Sequence, residues 1–85
     1  MKTNSELIKI FNEAKANIRN STDYIQYEKI ISSKLLKKAE SADDTPVIVE
    51  NVPYGIQEAL CKDFGNAGYN VHSFNMAILV SLNFS

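Results

Sequence analysis

Met76-Ala77-Ile78-Leu79-Val80-Ser81-Leu82-Asn83-Phe84 decides the fold. Met76, Ile78, Val80, Leu82 and Phe84 share one parity and are all apolar, while Ala77, Leu79, Ser81 and Asn83 take the other. A period of two is the signature of a strand whose side chains alternate between faces. A strand with a wholly apolar face needs a sheet beside it and something packed over that face.

The residues before it supply both. Val47-Ile48-Val49-Glu50-Asn51-Val52 is short and β-branched, and reads as a first strand, largely covered because both parities carry apolar residues. Pro53 suits the first turn of a helix, where its missing amide costs nothing. Ile56, Leu60 and Phe64, with Ala59 and Ala67, form that helix's inner stripe, and Glu58 with Lys62 has the spacing of an outer ion pair. Gly68 is the expected left-handed cap, because Tyr69-Asn70-Val71 begins extended structure directly after it. Tyr69 to Phe74 alternates as a half-exposed strand, and Ser73-Phe74-Asn75 must hold the turn into the last strand. Since Met76–Phe84 is the longest and most apolar run, it belongs in the middle of a three-stranded sheet, antiparallel to both neighbours. The two outer strands are then joined by a right-handed crossover.

Upstream, Thr3 and Glu6 have capping-box spacing, and Leu7, Phe11, Ala14 and Ile18 recur as one buried helical stripe. Asn20-Ser21-Thr22-Asp23 breaks that helix, and any of the last three residues can cap a second one. Tyr24, Tyr27 or Glu28, Ile31 and Leu35 mark the inner face of the second helix, which ends near Ala39 or Glu40. No Gly or Pro interrupts residues 5–40, so one long helix is the alternative to two. The expected fold class is α+β: two N-terminal helices followed by a β-α-β-β unit, with a small three-stranded sheet and the C-terminal strand central. Residues 1–85 form a single domain, comprising a helical hairpin over 1–40, a linker over 41–46 that Pro46 closes, and the βαββ unit over 47–85.

Composition narrows the function classes. The 85-residue chain is 45% hydrophobic and 22% charged, ordinary values for a small folded domain. Nine Lys plus Arg against ten Asp plus Glu give a net charge of −1, so no global field draws the chain to nucleic acid or anionic lipid. The N-terminal residues lack the apolar core of a signal peptide and no run reaches membrane-spanning length, which leads to an expectation of a cytoplasmic protein without membrane partners. One cysteine, Cys61, excludes an internal disulfide framework and a multi-thiolate zinc site.

Candidate chemistry is sparse. Cys61 and His72 are the only thiol and the only imidazole, but Cys61 lies mid-helix beside the inner stripe and reads as a packed, inert residue. His72 reads as a solvated strand histidine. Asp43 and Asp44 lack the alternating ligands and glycine of a calcium loop, and Gly65 and Gly68 follow a helix rather than precede one, unlike a phosphate loop. No catalytic, metal or cofactor residue is assigned, and no enzyme is expected. What remains is apolar surface: Ile8, Ile10, Ile25, Ile30 and Leu36 fall outside the narrowest core stripes and exceed what one small sheet covers. The chain is therefore expected to be a protein-interaction module that forms a homo-oligomer through the N-terminal helices, with Ile10, Tyr24, Tyr27, Ile30, Lys34, Lys37 and Lys38 as the partner-binding residues. The alternative is a small nucleic-acid or nucleotide binder using the Lys29–Lys38 face.

From Val47 to Phe84, the apolar strand, the helix leaving through Gly68-Tyr69-Asn70-Val71 and the short terminal strand resemble small bacteriophage-encoded accessory proteins. The resemblance spans about half the chain. It implies a virus-encoded protein that acts by binding, as a minor particle or assembly component or as a modulator of a host protein, in the host cytoplasm or the virion. It carries over no functional residue.

Overall fold

The computed structural model describes residues 1–84. Its elements run α1 (Asn4–Ala16), a single 3-10 turn (Ile18–Asn20), α2 (Thr22–Glu40), β1 (Val47–Val49), α3 (Tyr54–Asn66), β2 (Asn70–Phe74) and β3 (Ala77–Ser81). The chain is α+β, and two helices rather than one precede the sheet. β3 is central, antiparallel to β1 and to β2, in the order β1-β3-β2. Val80 pairs with Val47 on one side and Val71 on the other, and Leu79 pairs with Ile48 and His72.

Local chemistry sets the boundaries. The Thr3 side chain accepts from the Glu6 amide at 3.3 Å and opens α1, while the Glu6 carboxylate takes the Thr3 hydroxyl rather than its amide. Ser21 is the cap of α2, accepting from the Tyr24 amide at 3.2 Å. Pro53 stands just outside α3 as its N-cap, one place earlier than its usual first-turn site, and its carbonyl accepts from Gln57. Gly68, with φ 100°, closes α3, and the amides of Gly68 and Tyr69 return to the carbonyls of Gly65 and Phe64. The Phe64 and Tyr69 rings then meet edge to face at 5.6 Å, the apolar contact that accompanies this wrapped helix end.

Both strands expected from the longest runs are shorter. β1 stops at Val49, because Asn51 takes a left-handed φ of 60° and turns the chain away from the ladder. β3 spans five residues, since Met76 is spent in the two-residue turn Asn75-Met76, in which Asn75 is left-handed with φ 55°.

The core lies between the sheet and two helices on one of its faces. Val47, Ile78 and Val80 point into it, under Ile56, Leu60 and Phe64 of α3 and Ile31 and Leu35 of α2, all buried. The expectation that β1 would be covered on both faces fails. Ile48 is 54% exposed and Phe74 72%, so the second face of the sheet is open. Ala67 is exposed at the C-cap of α3, outside the inner stripe. Glu58 pairs with Lys15 at 3.3 Å instead of with Lys62, which ties the last turn of α1 to α3.

The buried stripe expected of α1 is the main correction. No residue of α1 is buried. The helix meets the body at the 3-10 turn and does not lie along α2. The molecule accordingly measures 53 × 21 × 21 Å, with a radius of gyration of 14.9 Å. A compact chain of this length would have a radius of about 12 Å.

Candidate functional site

Leu7, Ile8, Ile10 and Phe11 project from α1 with roughly half of each residue in solvent, between 47% and 58%. At 100° per residue they cover, with Ala14 and Ile18, about 160° of the helix surface. Only Ile18, beyond the end of α1, packs against the core. The Lys15–Glu58 pair and Ile18 thus fix one end of α1 while its apolar face continues outward with no cover from its own chain.

α2 presents two faces. Inward it buries Tyr24, Ile31 and Leu35. Ile25 and Leu36, 51% and 63% exposed, lie on one flank of that buried face and Ile30, 45% exposed, on the other, with Gln26, Lys29 and Ser33 facing outward between them. Gln26, Lys29, Ile30, Ser33 and Lys34 line a shallow open depression on that side. Lys29, Lys34 and Lys37 are exposed there and enter no ion pair among the described residues.

The seven residues expected to bind a partner are separated by this geometry. Ile10, Ile30, Lys34 and Lys37 lie at the surface. Tyr24 is only 8% exposed and its hydroxyl donates to the Asp63 carboxylate, which also takes two hydrogen bonds from the Arg19 guanidinium at 2.8 and 2.9 Å. Burial, with the Asp63 carboxylate next in weight, pushes the Tyr24 hydroxyl up to about 12. The Arg19 guanidinium beside Asp63 holds that carboxyl below the usual carboxylate range. Tyr27 donates to the Asn51 carbonyl at 3.3 Å. Lys38 turns back to Asp43 at 3.3 Å and to the Thr45 hydroxyl at 2.8 Å. Asp43 in turn accepts from the amide and hydroxyl of Thr45, hydrogen bonds that depress its carboxyl pKa. Tyr24, Tyr27 and Lys38 are thus engaged in holding α2 to the rest of the chain.

Leu7 and Phe11 belong to the exposed surface although their spacing assigns them to the core. Periodicity shows that a helix is amphipathic and says nothing about which chain covers it. Gln57 is the other departure: it is 4% exposed, donates to the Ala77 carbonyl at 2.9 Å, and leaves its own oxygen without a partner.

Cys61 and His72 are not brought together. Cys61 is half-buried against the core, near Ser73, and burial pushes its thiol up. His72 is exposed on the sheet's open face, across from Leu79. Among the described residues no group of three His, Cys, Asp or Glu side chains could hold a metal ion, and no helix is long and apolar enough to cross a membrane. Comparison with protein-family models, curated proteins and solved structures finds no match to this chain.

Proposed function

We propose that the protein is a non-enzymatic interaction module that self-associates through its N-terminal helices. The observation that carries this reading is α1, an amphipathic helix with a wide apolar stripe and no buried residue. An accessory or assembly role, of the kind the phage resemblance implies, suits a module of this sort.

Sedimentation at micromolar concentration tests it. The expected result is a dimer or larger species, and Leu7→Asp with Phe11→Asp is expected to return it to a monomer with an unchanged circular dichroism spectrum, since α1 contributes nothing to the core. A monomeric wild-type chain at that concentration would remove the reading's support.

A second reading keeps the three unpaired lysines Lys29, Lys34 and Lys37 as a nucleic-acid contact. Three phosphate contacts would give a salt slope of about −2 on single strands. With Tyr24 and Tyr27 both turned inward, that face has lost the aromatic platforms that base stacking uses.

A further inference from the structure

We propose that the outer edge of β2 is a docking site for an extended segment of a partner protein, which adds as a fourth, antiparallel strand and sets a serine or threonine beside Gln57. The site is independent of α1 and stands whether or not the chain self-associates.

The hydrogen bonding of the sheet identifies the edge. Phe74 and Ala77 close a two-residue turn and so form a hydrogen-bonded pair, and by alternation His72 with Leu79 and Asn70 with Ser81 do the same. The Met76 carbonyl accepts from the Val52 amide at 2.7 Å on the β1 side, as that alternation requires. The amides and carbonyls of Val71 and Ser73 therefore point away from the sheet, and no group among the described residues bonds to them. Only another extended backbone matches that spacing of donors and acceptors.

The two edges of the sheet are not alike. β1 has three residues, follows Pro46, and turns only Ile48 outward. β2 has five residues in unbroken register, with no proline, no lysine and no bulge, the devices that keep edge strands from pairing. It is the edge left open.

Gln57 indicates what the incoming strand carries. With Tyr54, Glu58 and Cys61 on one flank of α3, and with Ser73, it lines a depression of about 170 Å³ at this edge. Gln57 is 4% exposed, its amide group is committed to the Ala77 carbonyl at 2.9 Å, and its oxygen has no donor. A buried acceptor without a partner is a cost that a bound donor removes. The strand residue opposite Ser73 points its side chain to the same face as Ser73, into the depression. A small side chain with a hydroxyl fills that place. Its two neighbours point to the open face, where Phe74, 72% exposed, favours β-branched apolar residues.

A second copy does not fit the edge. Two identical β2 strands would pair about a twofold axis perpendicular to the sheet, which puts both α3 helices on one face. Each α3 lies over its own β2, with Phe64 against Tyr69 and Cys61 beside Ser73. Strands about 4.8 Å apart would then hold the two helices closer than the roughly 8–10 Å at which helices pack. A partner segment with no helix above it meets no such conflict.

The test titrates the isotopically labelled full chain, followed by nuclear magnetic resonance, with the capped peptide Lys-Val-Ser-Val-Thr-Val-Ser-Val-Lys. The expected result is a saturable shift of the Val71 and Ser73 amides and slowed hydrogen exchange at those two positions. N-methylation of the serine and threonine amides, which face β2, should weaken binding about tenfold or more, whereas N-methylation of the valine amides should leave it unchanged. Replacing the threonine by the isosteric valine should also weaken it. Ser73→Pro, which removes one outward amide at an edge that tolerates proline, should act like the first methylated peptide. Circular dichroism checks that variant, and the two methylated peptides decide the question on the wild-type chain alone. Equal binding of the two methylated peptides, or no response of Val71 and Ser73 up to about 1 mM peptide, would overturn the proposal. So would exchange protection of both amides in the free protein that rises with its concentration, since a second copy would then hold the edge.

Discussion

Asp63 is the residue on which the helical half is joined to the α3 layer. It receives two hydrogen bonds from Arg19, 44 positions earlier, and one from Tyr24, 39 positions earlier. Nothing local in the sequence announces such a contact, because both donors reach it only once α2 and α3 are packed. Short-range chemistry is legible by contrast: Thr3, Ser21 and Gly68 each act within four residues of their own position, and each stands where its side chain or backbone freedom predicts. The Asp63 carboxyl has a lower pKa folded than unfolded, so its contribution is fully present above the unfolded value of about 4 and is lost as pH falls through the folded value. Asp63→Asn should therefore cost about 1 kcal/mol near neutrality, a modest figure because both partners are partly solvated. Urea unfolding across pH should show the gap between variant and wild type closing below about pH 4. A gap of constant size down to about pH 3 would show that the carboxylate's charge contributes nothing.

Elements were legible where the pattern and the local backbone agree. The alternation of Ile78 and Val80 places β3 in the sheet centre, and the Ile56, Leu60 and Phe64 spacing gives the buried face of α3. Strand ends were not, since a single left-handed residue such as Asn51 ends pairing without any change in hydrophobicity. The ends of α2 and α3 make the same point. Both close with the same double return of amides to carbonyls: Gly68 to Gly65 and Tyr69 to Phe64 in α3, and Ala42 to Ala39 and Asp43 to Lys38 in α2. In α3 the left-handed residue is glycine and is visible in the sequence. In α2 it is Ala42, with φ 54°, a conformation that its Cβ opposes. Ala42→Gly should relieve this and raise unfolding stability by about 0.5–1 kcal/mol, the left-handed penalty less the backbone entropy of glycine. Ala39→Gly, inside α2, should lower it by about as much. Equal losses from both substitutions would mean that the left-handed cap carries no strain.

At the scale of the whole molecule, the misplacement of α1 follows from the area of the sheet. Three strands spaced about 4.8 Å apart set the outer two only about 10 Å from each other, which is filled by two helices packed 8–10 Å apart. α2 and α3 take that space, so the apolar stripe of α1 has no place on the covered face of its own sheet. The sequence shows the stripe but not the shortage of room. If the chain self-associates as proposed, it gains stability from its neighbours, and its unfolding then depends on concentration. For a dimer that unfolds to two separate chains, each tenfold rise in concentration adds about 1.4 kcal/mol per dimer, or about 0.7 per chain. For a domain of this size that raises the melting temperature by about 3–5 °C per decade. Leu7→Ala with Phe11→Ala should flatten the dependence while leaving the melting temperature at the lowest concentrations nearly unchanged, because neither side chain is buried in the single chain. The opposite pattern, a melting temperature independent of concentration and lowered by the double substitution throughout, would place the α1 stripe inside its own fold.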